Sequence, residues 1–168
     1  SFIIAILFNE GGATMIINTN RFGQIDIDNN QMIVFKSPIL GFGDLKNYIL
    51  LQSEDKKSPF EFLQSAENED LSFIVTDPFV FFPDYEFQLE PYWVEMLAVT
   101  DESDIMVLVI VTVRSSDDIS CNLKAPIVIN KSRNSAAQIV LDHRDYVTQQ
   151  PLFREKKGAD IDADSVKK

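Results

Sequence analysis

The sequence predicts an all-β protein, a compact small antiparallel β-barrel or sandwich carrying one or two short helices. Three observations predict it. Short runs with period-two alternation recur along the chain, residues 105–113 (IMVLVIVTV) are apolar and rich in β-branched residues, and Gly, Pro and Asn punctuate the runs. A chain of 168 residues, 45% hydrophobic and 24% charged, has ordinary globular composition and length for one domain with a sizeable core.

The elements follow in order. Residues 2–8 (FIIAILF) form an apolar run, far short of the ~20 residues a membrane-spanning helix needs. No basic region or small-residue cleavage site marks them as a secretory leader. Glu10-Gly11-Gly12 can be encoded by codons that contain GGAGG, a ribosome-binding sequence, with Ala13-Thr14 as spacer before an ATG at Met15. Residues 1–14 are therefore expected to be a non-native or upstream-translated extension; the alternatives are a genuine N-terminal strand or a cloning remnant. The DNA at those codons decides.

Gln24-Ile25-Asp26-Ile27-Asp28 alternates, Asn29-Asn30 forms a turn and residues 32–35 return, which predicts a hairpin. Pro38, Gly41 and Gly43 mark a loop. Strands are expected at 48–51, 60–63 and 71–76, then a central strand at 105–113 covered on both faces, and last 127–129 and 138–141. Pro91 suits a first helical position, and Trp93, Val94 and Leu97 give a short helix an apolar face. Residues 15–153 thus read as a single β domain. Residues 154–168 hold few apolar groups and read as a flexible polar tail.

Charge limits the partners. Fifteen Lys and Arg against 26 Asp and Glu give a net charge of -11. Such a surface repels phosphate backbones and attracts basic proteins. One cysteine, Cys121, excludes an internal disulfide and a Cys-based zinc cage, and fits a reduced, cytoplasmic protein. Catalysis finds little support. Cys121 and the single histidine, His143, are the only candidates for a nucleophile pair, and neither lies in a recognisable signature. Asp84 and Glu86 offer paired carboxylates for hydrolysis, yet solvated acids are far commoner. No phosphate loop, dinucleotide fingerprint or metal-ligand spacing occurs, so no enzyme, cofactor or metal is expected.

A binding surface is easier to argue. If 84–90 is a strand with Tyr85, Phe87 and Leu89 facing the core, then Asp84, Glu86, Gln88 and Glu90 share its outer face, spaced roughly 7 Å apart. That strip is either a solvated strand face or a dock for a basic partner, strongest through arginine–carboxylate forks. Upstream, Phe79, Phe81 and Phe82 are either core or an apolar patch beside the strip. Asn122 and Asn130 bracket a strand and read as structural.

Several motifs, in order, resemble the flagellar assembly factor FliW family. They are Met15-Ile16-Ile17-Asn18-Thr19 with Phe22-Gly23-Gln24, Phe35 with Pro38-Ile39-Leu40-Gly41-Phe42, and Ser58-Pro59-Phe60 with Leu63-Gln64-Ser65. Asp77-Pro78-Phe79-Val80-Phe81-Phe82 with Tyr85-Glu86-Phe87, and 122–130 followed by Gln138, complete the likeness, which spans about 15–153. Leu40 departs from the family's usual Ile-Pro-Gly, which loosens a turn only.

The resemblance implies a non-enzymatic cytoplasmic protein with two partners. One is CsrA, a basic dimeric RNA-binding translational repressor that it antagonises allosterically; the other is flagellin before secretion. Flagellin held in the cell would occupy the protein and leave CsrA repressing; export would free it to sequester CsrA. Glu86 falls on a family glutamate implicated in CsrA contact, and strand geometry adds Asp84, Gln88 and Glu90. Phe79, Phe81 and Phe82 are the expectation for a flagellin groove accepting an amphipathic helix. The alternative is a dedicated flagellin chaperone without direct CsrA binding. Neither nucleic acid nor membrane is expected as a direct partner.

Overall fold

The computed structural model describes residues 5–9, 12–143 and 145–153, with side chains from Met15 onward. The tail expected at 154–168 lies outside the described residues, as do 1–4, 10 and 11 of the expected extension.

The chain is mostly β, with a few short helices. Strands β1 (Ala5–Asn9), β2 (Gly12–Thr19) and β3 (Gly23–Asp28) make a three-stranded antiparallel sheet. Gly23, at φ 69, supplies the left-handed residue that turns β2 into β3. The larger sheet contains β4 (Ile33–Ser37), β5 (Asn47–Gln52), β6 (Phe60–Ser65), β7 (Ser72–Thr76), β8 (Ile105–Ser115), β9 (Asp118–Cys121), β10 (Ile127–Asn130), β11 (Ser135–Gln138) and β12 (Gln150–Pro151). Helices α1 (Pro78–Phe81) and α2 (Pro91–Met96) lie between β7 and β8.

This sheet curls without becoming a clean barrel or sandwich, which corrects the predicted architecture. β4 through β8 pair in succession, β10 pairs with β8 and β11, and β11 returns to β4 in parallel. The return is thin: β4 meets β5 at two residue pairs, and its pairing with β11 shifts register between Ala136 and Ala137.

Period-two alternation distributes side chains between separate clusters. Leu108, Ile127, Ile129 and Ala136 join Ile33, Phe35, Tyr48, Leu63 and Val75 in one cluster, to which all the strands from β4 to β8, β10 and β11 contribute. Their neighbours Val109, Val128 and Ala137 join a second, with Tyr85, Leu97, Cys121, Leu123, Ile139 and Leu141. Ile49, on the other face of β5 from Tyr48, packs with Met15, Ile17 and Ile27 and ties the small sheet down.

The strands expected at 48–51, 60–63, 105–113 and 127–129 are present within β5, β6, β8 and β10, the one expected at 71–76 is β7 without Leu71, and the Pro91 helix is α2. Other expectations fail. The 24–28 and 32–35 segments form no hairpin: β3 pairs with β2, and β4 pairs with β5 and β11. Between them, a 3-10 turn at Asn29–Gln31 carries the chain from one sheet to the other, fixed by Gln31 Oε1 accepting from the Asp28 N–H at 2.8 Å. β8 is sheltered only as far as Val111; Val113 is 51% exposed. The last expected strand begins earlier, at Ser135, because small Ala136 and Ala137 permit the close parallel approach to β4. Past β11 the chain stays extended beside 124–126, with Ile139 N–H donating to Pro126 O and Leu141 N–H to Lys124 O. Residues 84–90 are no ladder strand at all.

Candidate functional site

The site is built between β7 and β8. Asp77 caps α1, its carboxylate accepting from the Phe79 N–H at 2.8 Å, while Pro78 occupies the first turn. The helix ends after one turn, and a turn closed by Tyr85 N–H to Phe82 O leads into 84–90.

This stretch is extended but has no neighbouring strand, so side chains hold it in place. Tyr85 is buried and donates its hydroxyl to Leu123 O at 2.9 Å. Burial, reinforced by nearby Tyr146 and Cys121, raises its pKa, so it stays a protonated donor. Tyr146 stands where a partner strand would: its hydroxyl donates to Glu86 O at 2.9 Å and accepts from the Glu86 N–H at 3.0 Å. The Tyr146 ring meets Tyr85 edge-on at 4.7 Å, and His143 stacks on Tyr146 at 4.2 Å.

The predicted alternation survives without the ladder. Tyr85 is buried and Phe87 and Leu89 are half-buried, whereas Asp84, Glu86, Gln88 and Glu90 are exposed. Glu86, Gln88 and Glu90 line a common hollow of about 490 Å³, and Asp84 does not. Its opposite wall was not foreseen: Trp93 of α2 and residues 139–143, including Asp142 and His143. Trp93 was read only as helix core, and no local pattern places 139–143 opposite 86–90. On the other side of Leu89 and Pro91 lies an open, largely apolar hollow of about 510 Å³ with Arg133 and Glu95 as its charged lining.

The aromatic trio divides. Phe79 is 42% exposed against the Tyr85 ring, and neighbouring Val80 is 63% exposed. Phe81 is half-buried between Phe60 and the exposed Phe153, and Phe82 packs on the second core cluster. None of the three lines the acidic hollow.

The candidate nucleophile pair is not assembled. Cys121 is 1% exposed in the core, and burial pushes its thiol up to about 12, so it is neither ionised nor accessible. His143 is exposed, its ring on Tyr146 and its Nδ1 accepting from the Asp145 N–H. Asn122 and Asn130 are structural, as expected: Asn122 Oδ1 accepts from the Lys124 and Ala125 N–H groups, and buried Asn130 donates to Leu97 O and Ala98 O. Among the described residues no three His, Cys, Asp or Glu side chains are grouped to hold a metal, and no helix is long and apolar enough to cross a membrane.

Comparisons with known proteins converge. The family model for FliW protein matches residues 16–152. The flagellar assembly factor FliW of Caldanaerobacter subterraneus subsp. tengcongensis is 38% identical over 146 residues, covering 86% of this chain and 97% of its own. The flagellar assembly factor FliW of Bacillus licheniformis is 43% identical over 140 residues, covering 82% and 96%. A crystal structure of the flagellar assembly factor FliW superposes with a TM-score of 0.78 at 38% identity, covering 84% of this chain and 99% of the other. A match along nearly the whole described domain, in sequence and in fold, establishes that this chain belongs to the FliW family.

Proposed function

We propose that this protein is a cytoplasmic flagellar assembly factor that binds CsrA and flagellin alternately, coupling flagellin translation to export. Its relatives carry the name flagellar assembly factor, and on this reading it works by binding, without catalysis. The observation that carries the CsrA half is the exposed acidic face of residues 84–90, with Glu86, Gln88 and Glu90 around one hollow, on a chain of charge -11. CsrA must attract RNA and so presents basic surface, which this face complements without imitating a base. Rim charges would speed association and make it sensitive to salt. Allosteric antagonism requires tighter binding to RNA-free CsrA; a hundredfold preference is ~2.7 kcal/mol of coupling.

Flagellin is assigned to the apolar patch of Phe79 and Phe81, with Phe82 behind, because exposed Phe79, Val80 and Phe153 offer anchor area for an amphipathic helix. The same patch favours the second reading, a flagellin chaperone that never touches CsrA. Titrating flagellin into a preformed complex with purified CsrA tests both. Release of CsrA supports alternating partners, a ternary assembly overturns alternation, and failure to form the CsrA complex leaves the chaperone.

A further inference from the structure

We propose that the acidic hollow is a receptor for one arginine side chain of a protein partner, with Glu86, Glu90 and Asp142 receiving the guanidinium and Trp93 giving it a flat wall. This rests on the reading that residues 84–90 face a basic protein, and it specifies what that face recognises.

Three separate stretches of chain build the hollow: 86–90, Trp93 of α2, and 139–143. Its volume, about 490 Å³, accommodates one long side chain with the backbone that carries it. Exposed Val140 and half-buried Phe87 give the lining apolar surface for an aliphatic stem, while carboxylates come from both walls, Glu86 and Glu90 on one and Asp142 on the other. None of the three is in an ion pair among the described residues. Among the described residues the single ion pair is Arg114–Asp118, at 3.8 Å on the β8–β9 hairpin, and the Lys124 ammonium turns to the His143 carbonyl.

The chemistry prefers arginine to lysine. A planar guanidinium lies against an indole and donates in several directions to carboxylates on opposite walls, whereas an ammonium is a compact, strongly hydrated point charge. The same carboxylates repel a phosphate backbone, so the arginine belongs to a protein.

Trp93 is the only tryptophan, so its emission reports the hollow directly. The experiment titrates the full chain with acetyl-Gly-Arg-Gly-amide and with its lysine and citrulline counterparts. A saturable change is expected with arginine, binding about tenfold weaker with lysine, and no response with neutral citrulline. Asp142→Asn should weaken the arginine peptide by about tenfold at unchanged Tm. Repeating the titration in Arg144→Ala, which removes the arginine next in sequence to His143, should give the same order. Equal affinity for arginine and lysine, no saturable response in either background, or indifference to Asp142→Asn overturns the receptor. Measuring CsrA binding by Asp142→Asn separates the two levels. A CsrA complex without arginine preference sinks this inference alone, and arginine preference without a CsrA complex sinks only the partner's identity.

Discussion

The β10–β11 hairpin and the 84–90 segment sit against the same core cluster and are held by opposite means. In the hairpin every residue from Ile127 to Asn130 and from Ser135 to Gln138 is buried, and the ladder is reinforced by polar side chains that reach other elements. Asn130 and Ser135 both donate to Leu97 O, while Gln138 accepts from the Leu40 N–H at 2.7 Å and donates to Ala125 O. Residues 84–90 bury Tyr85 alone and rely on the hydroxyls of Tyr85 and Tyr146. A ladder fixes backbone at the expense of surface; side-chain anchors fix backbone while leaving every second residue free to meet a partner. The first region is closed to solvent, and the second keeps an exposed face.

That division can be broken from either side. Asn130→Ala removes a buried amide that donates to Leu97 O and Ala98 O and accepts from Ser132, leaving Leu97 O with Ser135 alone, so it should cost about 3 kcal/mol of unfolding free energy, read from denaturant titration. Glu86→Lys should leave Tm unchanged and cost about 2 kcal/mol in CsrA binding, read by calorimetry. Full affinity in that variant with its normal salt dependence removes Glu86 from the site. Tyr85→Phe leaves Leu123 O without its donor and should cost about 1 kcal/mol of stability, since the ring packing remains. Tyr146→Phe should do less to stability than to local order: the Glu86 amide loses its acceptor, and its hydrogen exchange should accelerate while exchange in β10 stays slow.

Acid–base behaviour sharpens the comparison least. Cys121 belongs to the core cluster that both regions share, with its folded pKa raised by burial from 9.0 to about 12. The neutral thiol is therefore favoured by folding. Its contribution is whole below pH 9.0 and is lost as pH rises toward about 12. Cys121→Val should flatten the alkaline end of the stability profile and leave neutral pH little changed.

Much of this architecture is legible where the determining forces are local. β5, β6, β7 and the buried part of β8 follow from apolar runs, and α2 from Pro91 and its apolar face. The in–out pattern at 84–90 is legible too, since alternation belongs to extended chain whether or not a ladder forms. What stays hidden is partner choice. Asn29-Asn30 looks like a hairpin turn, and only the docking of β3 on β2 and of β4 on β11 shows that it links two sheets. β9 and β12 are too short to announce themselves, and Gln150–Pro151 is a strand only because Cys121 and Ser120 lie beside it. The far wall of the acidic hollow is hidden for the same reason. Asp142 and His143 face Glu86 through the third dimension, at a distance no periodicity reports.

The parallel contact of β11 with β4 carries a consequence for biosynthesis. The Leu40–Gln138 hydrogen bond beside it spans 98 residues, so the curl cannot close until β11, far along the chain from β4, has left the ribosome. Until then β4 exposes an unpaired edge, and the nascent chain is at its most vulnerable to aggregation. A domain built this way completes its curl only after β11 has been made, so synthesis of that strand sets the earliest moment at which the sheet can close.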